Sequence, residues 1–160
     1  MRLGLRWAAA IFTLGGLVSC GQSQSAAPAN SPAPAVGVYA LSASGCSYQG
    51  QATAGAGGGY VTLANKSATE AHFDLWRLDA GRTYAEFLAH IQEGQRRFQA
   101  GEPELGHPTF ASLSTSVSVG AGASEPLSLP SQAGTYGMAC IPWNNGPTGI
   151  FAAGPLTVLG

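Results

Sequence analysis

Along residues 36–160, apolar and polar positions alternate with a period near two over a series of short segments. They are "VGVYALSA" (Val36 to Ala43), "GYVTLANK" (Gly59 to Lys66) and "AHFDLWRL" (Ala71 to Leu78), then "FASLSTSVSV" (Phe110 to Val119), "EPLSLP" (Glu125 to Pro130), "TYGMACI" (Thr135 to Ile141) and "IFAAGPLTVL" (Ile150 to Leu159). Their β-branched and aromatic content predicts strands, because such side chains suit a pleated, half-buried surface. "NKSATE" (Asn65 to Glu70) is small and polar and predicts a turn between two of them. Short strands punctuated by Gly and Pro at this spacing predict an all-β sandwich or small barrel.

One segment changes period. In "TYAEFLAHIQEGQRRFQAG", Tyr84, Phe87, Leu88 and Ile91 recur at helical spacing and form one apolar face. Thr83 followed by Glu86 makes a capping box, which satisfies two otherwise unpaired amide donors. Glu86/His90 and Glu93/Arg97 are four apart on the other face. Gly94 either ends a first helix or weakens a longer one, and Gly101 is the surer stop. The prediction is one inserted helix over about residues 83–100, packed across one end or an open edge of the sandwich.

The beginning of the chain has a different pattern. Arg2 and Arg6 precede the apolar run "WAAAIFTLGGLV" (Trp7 to Val18), which is shorter than the roughly 20 residues needed to span a hydrocarbon core. It ends in "LVSC" (Leu17 to Cys20), which resembles the lipobox of bacterial lipoproteins. That resemblance implies cleavage before Cys20 and diacylglycerol on its sulfur; the alternative is an ordinary secretory signal. Each buried methylene of an acyl chain contributes about 0.8 kcal/mol, so two or three chains hold a protein durably at a membrane. The following "GQSQSAAPANSPAPA" (Gly21 to Ala35) lacks charge and bulk and predicts a tether. The organisation is therefore a leader over 1–19, a lipidated Cys20 and tether over 20–35, and one domain over 36–160.

Charge and cysteine content narrow the function. Removing Arg2 and Arg6 leaves five cationic residues against eight acidic ones, a net charge near −3, and Lys66 is the one lysine. No basic patch is available for nucleic acid or anionic lipid. The expected partners are the membrane, through the lipid, and an envelope protein or ligand the sequence does not name. With Cys20 lipidated, Cys46 and Cys140 form an even pair outside the reducing cytoplasm, so a disulfide is expected. Its loop of about 95 residues would contribute on the order of 4 kcal/mol in the chain-entropy view.

Catalytic signals are weak. The glycine run "AGAGGGY" (Ala54 to Tyr60) precedes a strand rather than a helix, so it reads as a flexible loop and not a phosphate cradle. His90 and Glu93 share a helix side, but zinc needs three protein ligands and no second cluster supplies them. His107 lies in a loop beside Pro108, and no G-x-S-x-G nucleophile elbow occurs. No base is placed beside Cys140 to activate its thiol. No catalytic residue is assigned and no enzyme activity is expected. Trp76 and Trp143 mark either a contact surface or core packing.

Two stretches, "VTLANKSATEAHFDLWRLDAGRTYAEFLAHIQEG" and "GTYGMACIPWNNGPTGIFAAGPLTV", resemble the cupredoxin-like domains of exported bacterial proteins. The similarity covers roughly residues 36–160. It implies a cupredoxin-like Greek-key β-sandwich with one inserted helix. It also places His72 at the first imidazole position of a blue-copper site and Cys140 at the thiolate. The second imidazole falls at or near Ile150 and the axial thioether near Pro155, neither of which ligates copper. The expectation is therefore no cofactor, the copper site having been lost, and a binding or interaction role. The alternative is copper binding or electron transfer through a reduced set of His72, Cys140 and Met138. In that set Met138 and Cys140, two apart on one strand, face the same side.

Overall fold

A computed structural model describes residues 33–160, which form one domain; the leader, the proposed lipid attachment at Cys20 and most of the tether lie outside the described residues. Nine strands and one helix follow in the order β1 (Ala35–Ser42), β2 (Gly45–Gly50), β3 (Thr53–Gly55), β4 (Tyr60–Asn65), β5 (Glu70–Leu78), α1 (Tyr84–Ala100), β6 (Ala111–Val119), β7 (Ser124–Ser128), β8 (Gly134–Trp143) and β9 (Phe151–Leu159). They make a four-stranded sheet ordered β2-β1-β4-β7 and a five-stranded sheet ordered β3-β9-β8-β5-β6. The chain changes sheet at both ends of β3, between β4 and β5, and at both ends of β7. The expected Greek-key, cupredoxin-like sandwich with one inserted helix is the observed fold.

Two of the pairings, β1 with β4 and β3 with β9, are parallel. Strands β2 and β3 were not predicted from the sequence, and β3 occupies the start of the glycine run read as a loop. Strand β3 pairs in parallel with β9, about a hundred residues away, so no local alternation announces it, whereas β2 pairs antiparallel with β1 across a short turn.

Alternation along each strand sorts side chains between two cores. Phe73 and Leu75 of β5, with Tyr136, Met138 and Cys140 of β8, face the four-stranded sheet and meet Tyr39, Leu41 and Leu63 there. The opposite face of the five-stranded sheet carries Trp76, Leu78 and Ala139, which pack with Phe87 and Ile91 of α1. The helix therefore lies on the outer face of this sheet rather than across an end or edge. Gly137 makes this possible, since a Cβ there would come within 2.5 Å of the fully buried Phe87 ring.

Both ends of α1 are closed as its sequence requires. Thr83 and Glu86 exchange both capping-box bonds, and Gly101 takes the left-handed conformation (φ 66°) with its N–H bonded to the last carbonyls. Gly94 does not interrupt the helix.

The two ends of the sandwich differ. At one, Tyr60 N–H donates to Pro34, Ala56 N–H to Leu159 and Gly57 N–H to Pro130, gathering the entry of β1 and the exit of β9. At the other, Leu41 pairs with Asn65 and Glu70 with Trp143. Asn65 is buried there and closes the β4–β5 turn. Its amide nitrogen donates to the carbonyls of Thr69 (2.7 Å), Val119 (2.9 Å) and Gly120 (3.1 Å). Its carbonyl oxygen accepts from the N–H (3.0 Å) and hydroxyl (2.6 Å) of Ser67. The polar turn read from the sequence is thus a stitch between the two sheets.

Candidate functional site

Cys46 and Cys140 are joined in a disulfide, with Cα atoms 6.1 Å apart and a sequence separation of 94. Cys140 is fully buried, and the bond ties β2 of one sheet to β8 of the other. The sulfur at the expected thiolate position is thereby spent on a sulfur–sulfur bond and has no lone thiolate to offer a metal.

The remaining copper candidates are not brought together. His72 pairs across the ladder with Ile141, and Cys140 with Phe73. Directly opposed residues share a face and neighbours along a strand do not, so His72 lies on the outer face while Met138 and Cys140 point into the core. Its ring lies 4.8 Å from the Trp143 ring, and its Nε2 stands 3.5 Å from Glu70 Oε1. Met138 is fully buried among apolar side chains. Among the described residues, no group of three His, Cys, Asp or Glu side chains gathers in metal-binding array. The donor set His72, Cys140 and Met138 does not fit a copper ion, because a sheet separates its imidazole from its sulfur atoms. At the other two positions, Ile150 donates its backbone N–H to Gln95 Oε1 at 2.6 Å, and Pro155 is exposed.

The outer face carries a different feature. Between the second half of α1, the loop into β6 and the exposed parts of β5 and β8 lies a cleft of about 590 Å³. That size falls within the range of small-molecule pockets, roughly 300–1,000 Å³. Its floor is Trp76, Ala139, Ile141 and Ile150, and its rim includes Phe98 and Trp143. Trp76 is nearly buried and stacks edgewise on His107 at 5.1 Å, whereas Trp143 is 39% exposed. The two tryptophans singled out in the sequence therefore meet at one place, one as wall and one as lip.

Polar groups around the cleft hold its frame. His90 Nε2 lies 3.0 Å from the Gly106 carbonyl and pins the loop to the helix. Arg96 bridges Glu93 and Glu102, with four contacts of 2.8–2.9 Å, and Arg97 adds a bond to Glu93. The Arg96 and Arg97 guanidiniums push the Glu93 carboxyl down to about 2, and Arg96 also holds Glu102 below the usual carboxylate range. His90 and Glu93 are thus tied to a carbonyl and to arginines rather than to a common metal. Asp74, on the same outer face, accepts a hydrogen bond from the Ser116 hydroxyl.

Sequence reasoning named the two tryptophans but missed Phe98, Glu104, Leu105 and Ile141 as their neighbours. One signal was present: Trp76 falls out of phase with Ala71, Phe73 and Leu75, which puts a large apolar ring on the outward face of β5.

No protein-family profile matches the chain, and no curated protein matches it. One solved structure to which it is similar is dithionite-reduced auracyanin from the photosynthetic bacterium Roseiflexus castenholzii. The two share 19% identity with a TM-score of 0.37, over 77% of this chain and 95% of that one. At that score the likeness carries no weight for the site, and the fold rests on the sheet order described above.

Proposed function

We propose that this chain is a lipid-anchored protein of the bacterial envelope whose cupredoxin-like domain serves as a binding module and not as a copper or catalytic centre. The observation that carries the reading is the fate of Cys140: its sulfur is bonded to Cys46 and buried, with His72 on the other side of the sheet. The "LVSC" lipobox and the uncharged tether support the anchor. The outer cleft supports binding, since it offers apolar area beneath a polar rim. Against catalysis, His90 and Glu102 are already engaged by Gly106 and Arg96.

Expression of the full chain in a bacterial host tests the reading. The protein is expected in the membrane fraction with an acyl-modified N-terminal cysteine, and Cys20→Ser should release it. Denatured without reductant, the exported form should show no free thiol and gain two on reduction. Added copper should give no thiolate-to-copper absorption. Soluble, unacylated protein would sink the anchor, and free thiols with stoichiometric copper binding would sink the reading of a domain without a copper site.

A further inference from the structure

We propose that the cleft beneath α1 binds a small organic ammonium ligand with an aromatic or apolar body; this deepens the binding-module reading and rests on it. Three features of the cleft converge on that chemistry. The first is its π-surface: Trp76, Trp143 and Phe98 line one cavity, and ring faces attract cations as well as apolar groups.

The second is its charge. The lining carries Asp74, Glu102 and Glu104 and contains neither Lys nor Arg. Glu102 is neutralised from outside by Arg96. Asp74 has the neutral Ser116 hydroxyl as its hydrogen-bond partner, and Glu104 enters no ion pair among the described residues. Two carboxylates at the edge of an apolar, aromatic floor leave an uncompensated negative field. An ammonium group complements it, and a carboxylate-bearing ligand would be repelled.

The third is preorganisation. The walls do not depend on a ligand to be held: His90 fastens the loop at Gly106, and the Arg96 bridge fastens Glu102 to Glu93. A site held in shape beforehand loses less ordering entropy on binding.

The protein carries its own probe. Apart from Trp7 in the leader, its tryptophans are Trp76 and Trp143, both in the cleft. In full-length protein carrying Trp7→Phe, selectively excited tryptophan fluorescence therefore reports this site alone. We would titrate it with 2-phenylethylammonium, neutral 2-phenylethanol and anionic 3-phenylpropionate, which share one ring. The expected result is a saturable change with the cation at least tenfold tighter than with the anion. Asp74→Asn and Glu104→Gln should each weaken the cation several-fold and leave the alcohol unchanged. Equal binding of cation and alcohol, or tighter binding of the anion, overturns the ammonium class while the cleft stands as a binding site. No saturable change with any probe overturns the cleft itself; the anchor and the absence of a copper site are judged separately, by their own assays.

Discussion

Replacing Asn65 probes how a turn motif holds two sheets together. The side-chain amide has two donor hydrogens, shared among three carbonyls at 2.7, 2.9 and 3.1 Å, and its oxygen accepts twice from Ser67. That amounts to about four hydrogen bonds, each contributing roughly 1 kcal/mol net. Asn65→Ala is thus expected to destabilise the domain by about 3–4 kcal/mol, a large fraction of the 5–15 kcal/mol typical of domains. Urea unfolding followed by tryptophan fluorescence measures it as a shift in midpoint at constant slope. Asn65→Asp is the sharper variant, because it keeps the shape and puts a carboxylate where three carbonyls require a donor.

Burial and those carbonyls would raise the carboxyl pKa of N65D above its unfolded value of about 3.9. A raised folded pKa contributes stability that is present below the unfolded pKa and lost as pH rises through the folded one. The gap between N65D and wild type should therefore widen from pH 4 upward. A loss below about 1 kcal/mol for N65A, or a pH-independent gap for N65D, would refute the assignment of these bonds.

Three further outcomes follow from the interior. Tyr39 is fully buried and its hydroxyl has no hydrogen-bond partner among the described residues, so Tyr39→Phe should be neutral or stabilising by about 1 kcal/mol in thermal unfolding; a clear loss would mean the hydroxyl is paired. Gly137→Ala drives a methyl into the buried Phe87 ring and should cost about 1–3 kcal/mol, whereas Gly94→Ala meets nothing within 4 Å and should gain about 0.5–1 kcal/mol of helix propensity. Calorimetry of the pair checks the sign reversal, and a destabilised Gly94→Ala would count against the helix packing described. Replacing Cys46 and Cys140 together by Ala opens a loop of 94-residue separation and should lower stability by about 4–5 kcal/mol in denaturant; an unchanged midpoint would count against the bond.

Much of the architecture was visible in the sequence because it is local. Thr83, Glu86 and Gly101 announce the ends of α1 through chemistry confined to one turn. The inward phase of Phe73 and Leu75 can be read off a single strand. The site was less legible because faces are assigned between strands. Met138 and Cys140 share a side by simple alternation, but whether His72 joins them depends on its register with β8. Opposite Ile141, it does not. Strand β3 shows the same limit: three residues, two of them Ala and Gly, become a strand by pairing with β9 about a hundred residues later. The cleft needed Phe98 of the helix, Leu105 of the loop and Trp143 at the end of β8 to meet, and no spacing in the chain encodes that.

The Cys46–Cys140 bond also decides how the domain would carry a mechanical load. Tension applied through the N-terminal segment enters β1 at Ala35, and β1 leads through one tight turn to Cys46. There the pull divides, and the covalent branch passes into β8, whose outer residues floor the cleft. With a ligand or partner gripping that floor, the strands between residues 47 and 139 are spared the tension. The longest stretch that can be drawn out in line is residues 35–46, about 40 Å of chain. Force would loosen one strand and then stop at a sulfur–sulfur bond.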